Sequence, residues 1–140
     1  MVKYWIAVAS KDHVMMGVSK GFAQSGHGKR TGIARMNAGD VVIYYSPKME
    51  YEGNEPLHAI TAIGEIADDE IFQADEGPDW KPFRRRVRYI WTGELPLGPL
   101  ICKLSFIKNK VNWGSVFRFG LVEIPQEDFE RIKNNTGRIK

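Results

Sequence analysis

The chain has 140 residues, 43% of them hydrophobic, with 20 Lys and Arg against 17 Asp and Glu for a formal charge of +3, and a single cysteine, Cys102. That profile fits one soluble globular domain over residues 1–140, because a chain of this length can bury roughly two-thirds of its unfolded surface without disulfides or a structural metal. The apolar runs fall far short of the roughly 20 residues that span a bilayer, and the lone thiol with no N-terminal targeting segment gives the expectation of a reducing cytoplasm.

Residues 4–9 (YWIAVA) are apolar on both alternating faces, which predicts a central strand covered on two sides. Ser10 stands where a helix N-cap belongs, Val14, Met15 and Val18 follow at helical spacing, and Gly21 closes the helix. Residues 22–31 (FAQSGHGKRT) lack periodicity and read as a loop. A second short helix buries Ile33 and Met36 and stops at residues 37–40 (NAGD), with Gly39 as its left-handed cap. Residues 41–45 (VVIYY) predict a strand ended by Ser46-Pro47. After an acidic loop, residues 57–66 predict a third strand in which Gly64 marks a bend or a close backbone approach.

The strand pattern is strongest over residues 83–91. Phe83, Arg85, Val87, Tyr89 and Trp91 share one face, and Arg84, Arg86, Arg88 and Ile90 the other, so that three arginines form an exposed stripe. Residues 99–104 predict one helical turn, residues 119–124 a last strand, and the acidic, Pro-led residues 125–133 a C-terminal helix, with fraying from Asn134 onward. The fold class is α+β: a small, mainly antiparallel sheet curling into a barrel, with short helices at its rim.

Charge along the chain is blocky. Residues 13–39 hold four basic residues and no acid, residues 81–110 hold eight basic residues and one acid, and residues 50–79 between them hold ten acids and no Lys or Arg. The basic segments are therefore expected on one face and the acidic stretch on another, an arrangement that suits a polyanionic partner. Phosphate-binding loops, nucleophile elbows and metal-ligand pairs at fixed spacing are absent, and no cofactor is expected. His13, His27 and His58 lie in three different elements.

The order of segments carries a resemblance: YWIAVAS, then GVSKGFAQSGHGKR, ARMNAGDVVIYYSP, AITAIGEI, and W-x-P-F ahead of the basic strand. Taken together they resemble the EVE domain of the PUA-like superfamily over nearly the whole chain. The segment Phe22 to Arg30 is also similar to the corresponding part of the YTH domain, a relative that reads methylated adenine in RNA; Phe22 stands where that relative has tryptophan. The resemblance implies a PUA-like barrel whose mouth holds a flipped, modified base of DNA or RNA between aromatic side chains.

One methyl group in a pocket is worth only about 1 kcal/mol, so such a site must select by shape, with stacking supplying roughly 1–3 kcal/mol per base. Phe22 and Trp80 are the stacking candidates, Trp80 because it lies in a loop rich in Gly, Pro and Asp. Ser10, Gln24, Ser25 and Ser46 are the candidates to read the base edge, although Ser10 and Ser46 are equally explained as cap and turn residues. Arg118, between two phenylalanines, is expected either to fix the pocket wall or to touch a phosphate. Lys29, Arg30, Arg84, Arg86 and Arg88 are the phosphate candidates. Trp5, Tyr44, Tyr89, Trp91, Phe106 and Phe129 read as core.

Three functions follow from these residues. The favoured one is a noncatalytic reader of a modified base, with DNA or RNA as partner, no membrane, and a monomer as the default. The second is a general PUA-type RNA-binding module that needs the basic strand but no cage. The third is an enzyme acting on a nucleotide or RNA through Lys11, Asp12 or His13, which would show itself in a pH–rate profile.

Overall fold

A computed structural model describes residues 1–137. The expected α+β architecture is present, as a curled and mostly antiparallel half-barrel with short helices at its rim. Among the described residues the strands are β1 (Tyr4–Val8), β2 (Phe22–Ala23), β3 (Val41–Lys48), β4 (Pro56–Ile66), β5 (Phe72–Gln73), β6 (Phe83–Pro96) and β7 (Leu121–Ile124). They form one sheet in the order β2-β6-β4-β3-β1-β7, with β5 paired to the start of β6. Only the β1–β3 pair is parallel, in the register Tyr4↔Val41 to Val8↔Tyr45. The helices are α1 (Lys11–Lys20), α2 (Arg30–Ile33) and α3 (Gln126–Thr136), with 3-10 turns at Gly26–Gly28, Gly98–Lys103 and Trp113–Phe119.

The curl has identifiable causes. Register shifts interrupt β3–β4 at Tyr44/Tyr45 and Ser46/Lys48, and β4–β6 at Ile60/Ala62 and Ile63/Gly64. Each extra residue bends its strand and increases the local twist. Gly64 is the close approach expected of it: a Cβ there would lie 2.5 Å from Val87 Cγ1.

Alternation in β1 separates two cores. Trp5 and Ala7 join Val14, Ile33, Met36, Val42 and Tyr44 beneath α1 and α2. Ile6 joins Ile43, Tyr45, Ile60, Leu104, Phe117 and Phe129 beneath α3 and the later 3-10 turns. The strand is paired on both edges and covered on both faces, as its uninterrupted apolar run requires. Buried Asp40 ties down its start, accepting from the Trp5 indole at 3.0 Å and from the Lys3 and Asn37 backbones.

Several expectations are corrected. β3 does not end at Ser46-Pro47 but runs to Lys48, because the shift between Ser46 and Lys48 accommodates the missing proline N–H. Residues 22–23 add a short strand within the expected loop. β6 extends to Pro96, and β7 starts at Leu121 because the preceding 3-10 turn reaches Phe119. α3 continues through Asn134 to Thr136 rather than fraying there; residues 138–140 lie outside the described residues.

The exposed three-arginine stripe is also corrected. Arg84 is only 4% exposed, because β5 pairs with it and the loop carrying Glu76 closes over it. Nor do acids and bases occupy separate faces. Glu76, Asp68 and Glu70, and Glu65 pair with Arg84, Arg86 and Arg88 respectively, since the acidic stretch lies directly beside the basic strand it precedes.

Candidate functional site

The parallel pair β1–β3 ends at a cavity of about 400 Å³, within the range of roughly 300–1,000 Å³ typical of small-molecule sites. Several elements supply its walls. The end of β1 and the start of α1 contribute Ser10, His13, Val14 and Gly17; the stretch through β2 and the following turn contributes Phe22, Gln24, Ser25, Gly26 and His27. Tyr44, Pro47, Lys48 and Tyr51 come from β3 and the loop after it, and Tyr89, Phe117 and Arg118 complete the lining.

Phe22 is held by what lies behind it. The Arg84 guanidinium sits 3.8 Å from its ring centroid, and its backbone carbonyl accepts from the Tyr89 hydroxyl at 2.8 Å. Gly17 makes room for that carbonyl: a Cβ at position 17 would stand 2.6 Å from it.

Gln24 is bound on three sides. Its backbone N–H donates to Tyr44 Oη at 3.2 Å, its carbonyl accepts from the same hydroxyl at 2.8 Å, and its side-chain Oε1 accepts from Arg84 Nε at 2.9 Å. A guanidinium has donors and no acceptor, so it selects the oxygen of the amide and leaves Nε2 as the free polar group. Gln24 lines the cavity, and its Nε2 has no hydrogen-bond partner among the described residues.

Burial keeps the phenols in their neutral form. It pushes Tyr44 up to about 12, against the opposing hydrogen bonds of Gln24 and Tyr89, and it drives Tyr89 higher still with help from neighbouring Tyr44. Both are thus fixed hydrogen-bonding groups across the physiological range.

The mouth carries an aromatic wall that the sequence reading did not assemble. His13 stacks on Tyr51 with centroids 4.9 Å apart, His27 meets the same ring edge-on at 5.0 Å, and Tyr51 Oη lies 3.2 Å from His27 Nε2. Tyr51 is anchored through its backbone: its N–H donates to the Asp12 carboxylate at 3.1 Å, and its carbonyl accepts from Lys48 Nζ at 2.7 Å. Burial raises the Asp12 carboxyl, but hydrogen bonds from Ser10 Oγ and from the Tyr51 and His13 backbones outweigh it, leaving the carboxyl below its ordinary value.

Of the sequence candidates, Ser10, Phe22, Gln24, Ser25 and Arg118 come together on this cavity. Ser10 donates to Asp12 at 2.5 Å and makes no side-chain cap bond to α1, and Arg118 stands exposed at the rim. Ser46 is not among the lining residues. It lies fully buried inside the extended β3, with its hydroxyl 2.8 Å from that of Thr61.

Trp80 does not line the cavity either. Its indole N–H donates to the His27 carbonyl at 2.9 Å from behind the turn, near Gly28, whose φ of +88° and bare Cα allow Pro82 to pack against it. Tyr44 and Tyr89, read as core, are buried or half-buried and also face the cavity.

Among the phosphate candidates, Lys29 and Arg30 are exposed and make no ion pair among the described residues. Arg86 and Arg88 are exposed but paired, Arg86 with Asp68 and Glu70 at 3.4 and 3.5 Å and Arg88 with Glu65 at 2.8 Å. No helix among the described residues is long and apolar enough to cross a membrane.

Comparison with known proteins places this geometry in context. Residues 3–135 match the family model of the EVE domain. A UPF0310 protein from Mycolicibacterium vanbaalenii is 45% identical over 130 residues, covering 93% of this chain and 90% of its own length. One from Bacillus licheniformis is 46% identical over 130 residues, covering 93% and 88%. Among solved structures, the MmI1 YTH domain superposes with a TM-score of 0.61 at 14% identity, covering 96% of this chain and 95% of its own; at that identity the likeness is one of fold. The same domain has been solved as a complex with RNA, with a TM-score of 0.59, 16% identity, and coverage of 95% and 80%.

Proposed function

We propose that this chain, which belongs to the EVE domain family, is a noncatalytic module that takes one modified base of a DNA or RNA strand into the cavity at the end of β1 and β3. The observation that carries the reading is the juxtaposition of an aromatic lining with one oriented donor. Phe22, Tyr51 and the two imidazoles line the cavity with rings, and the Gln24 amide, whose Oε1 is taken by Arg84, keeps its N–H groups for a ligand. Stacking accepts any flat heterocycle, and a fixed donor then favours a ring with an acceptor on the facing edge. A fold shared with a domain solved in complex with RNA supports a nucleic acid as the source of that ring. Arg118 at the rim, with Lys29 and Arg30 exposed just after the lining residue His27 in sequence, supplies positive charge for the phosphates.

The test is a titration of matched DNA and RNA oligonucleotides, with and without a methylated cytosine or adenine, against wild type and Phe22→Ala. Tighter binding of a methylated strand, lost in the variant by roughly 1–3 kcal/mol, is the expected result. Equal affinity for methylated and plain strands, with equal losses in the variant, overturns base reading and favours general RNA binding instead.

A further inference from the structure

A second cavity, of about 440 Å³, adjoins the first. The two share Val8, Pro47, Phe117 and Arg118, so that Phe117 and Arg118 form the partition between them. The far side of the second cavity is aromatic. Trp113 meets Tyr45, His58 and Phe117 edge-on, at 6.3, 5.8 and 6.4 Å and with interplanar angles of 78°, 82° and 78°. Tyr45 and Phe117 are themselves stacked at 4.5 Å. Among the described residues no ring stacks face to face on Trp113, which is half-buried.

Behind Trp113 a polar contact joins two of the lining rings. Tyr45 Oη lies 2.9 Å from His58 Nδ1, and the His58 backbone is held at φ +54°, a conformation that L residues adopt only where the surroundings over-determine it. The rim is the opposite: Val111 is 95% exposed, an apolar side chain with no cover beside an aromatic recess. Nothing in the first cavity's chemistry uses Trp113, His58 or Val111.

We infer that the second cavity is a subsite for the nucleotide adjacent in the strand to the modified one, with its base stacked on Trp113 and the linking phosphate at Arg118. The inference rests on the base-reading proposal above. Three observations select this occupant over an unrelated ligand: the cavities share four lining residues, the one cation common to both lies at their partition, and the new recess is lined by aromatic rings and no carboxylate. Two bases of one strand joined by one phosphate need those features in that order.

The probes are the nucleoside monophosphates of 5-methylcytosine and N6-methyladenine, in deoxy and ribo form, and the dinucleotides that extend each on its 5′ or its 3′ side. At least one dinucleotide should bind on the order of tenfold to a hundredfold tighter than its mononucleotide, the range for one added base–aromatic stack. Trp113→Ala should abolish that gain and leave mononucleotide affinity unchanged. Trp113→Leu, which keeps an apolar contact but no ring, carries the same expectation should the Ala variant not fold. Dinucleotides no tighter than mononucleotides, or a Trp113 change that weakens both equally, overturn the subsite while base reading stands. Failure of every mononucleotide and dinucleotide to bind overturns both.

Discussion

Arg84 lies against Phe22 and bonds Gln24 with the same guanidinium, at 3.8 Å from the ring centroid and 2.9 Å from Oε1. A third contact joins its Nη1 to Glu76 at 3.1 Å, while Nη2 is buried with no protein partner. One side chain thus holds both Phe22 and Gln24 at the cavity, and it does so through the planar fork that distinguishes arginine from lysine.

Arg84→Lys should therefore behave unlike a conservative change. The charge beside Glu76 persists, but the flat surface under Phe22 and the donor that turns the Gln24 amide are lost. A fall in stability of about 1–3 kcal/mol, from denaturant melts, should accompany a several-fold loss of affinity for the modified strand. Unchanged affinity at reduced stability would assign Arg84 to the fold alone.

Gln24→Glu tests the donor directly. Arg84 retains one carboxylate oxygen as its acceptor, and the other oxygen replaces the amide N–H groups of this cavity-lining residue. Ligands with an acceptor on that edge should bind at least tenfold more weakly, whereas ligands with an exocyclic amine there should be spared or gain. Isothermal titration with a panel of methylated nucleosides separates the two.

Tyr44 makes the site sensitive to strong base. Its folded value, about 12, exceeds the ordinary value of 10, so between these the folded chain holds a proton that the unfolded chain has released. Stability is then full below pH 10 and declines as pH rises toward 12, the direction required when the native state binds more protons. Tyr44→Phe should flatten that contribution in alkaline melts, at a cost of about 1–3 kcal/mol at neutral pH for the unpaired N–H and carbonyl of Gln24.

The basic strand should respond less than its sequence suggests. An unpaired arginine on a phosphate contributes roughly 1 to the salt slope of binding. Arg86 and Arg88 already face carboxylates, so the double change to Gln should reduce the slope by less than 2 and weaken methylated and plain strands alike. Lys29→Gln with Arg30→Gln, lacking such partners among the described residues, should reduce it more.

Local pattern made much of the fold legible. The β-branched and aromatic runs of β1, β3, β4 and β6 were sufficient because burial on one or both faces is written in their own side chains. The pairing of Phe22 with Gln24 at a cavity also emerged, through family resemblance. What could not be read depends on distant partners. Alternation placed Arg84 outward with Arg86, yet β5 and the Glu76 loop cover that face. A loop position suggested that Trp80 was free, but its partner is His27, 53 residues away. Tyr51 sits in an acidic loop with no periodicity, and its place is set by Asp12, 39 residues earlier. Trp113 carried no local signal at all.

The parallel pairing of β1 with β3 has a bearing on how the protein can change. Parallel strands require a crossover between them, and here residues 9–40 make it, carrying α1, β2, the Gly26–Gly28 turn and α2. Ser10, His13, Phe22, Gln24 and His27 all ride on that single connection, whereas Trp113 and Arg118 belong to a segment beyond β6. Exchanging residues 10–28 with those of a relative therefore changes one wall of the first cavity, while Tyr44, Tyr51 and Tyr89 on other segments stay in place. The recess at Trp113 lies on another segment and can vary separately from that wall, save at Val8, Pro47, Phe117 and Arg118, where the two cavities meet.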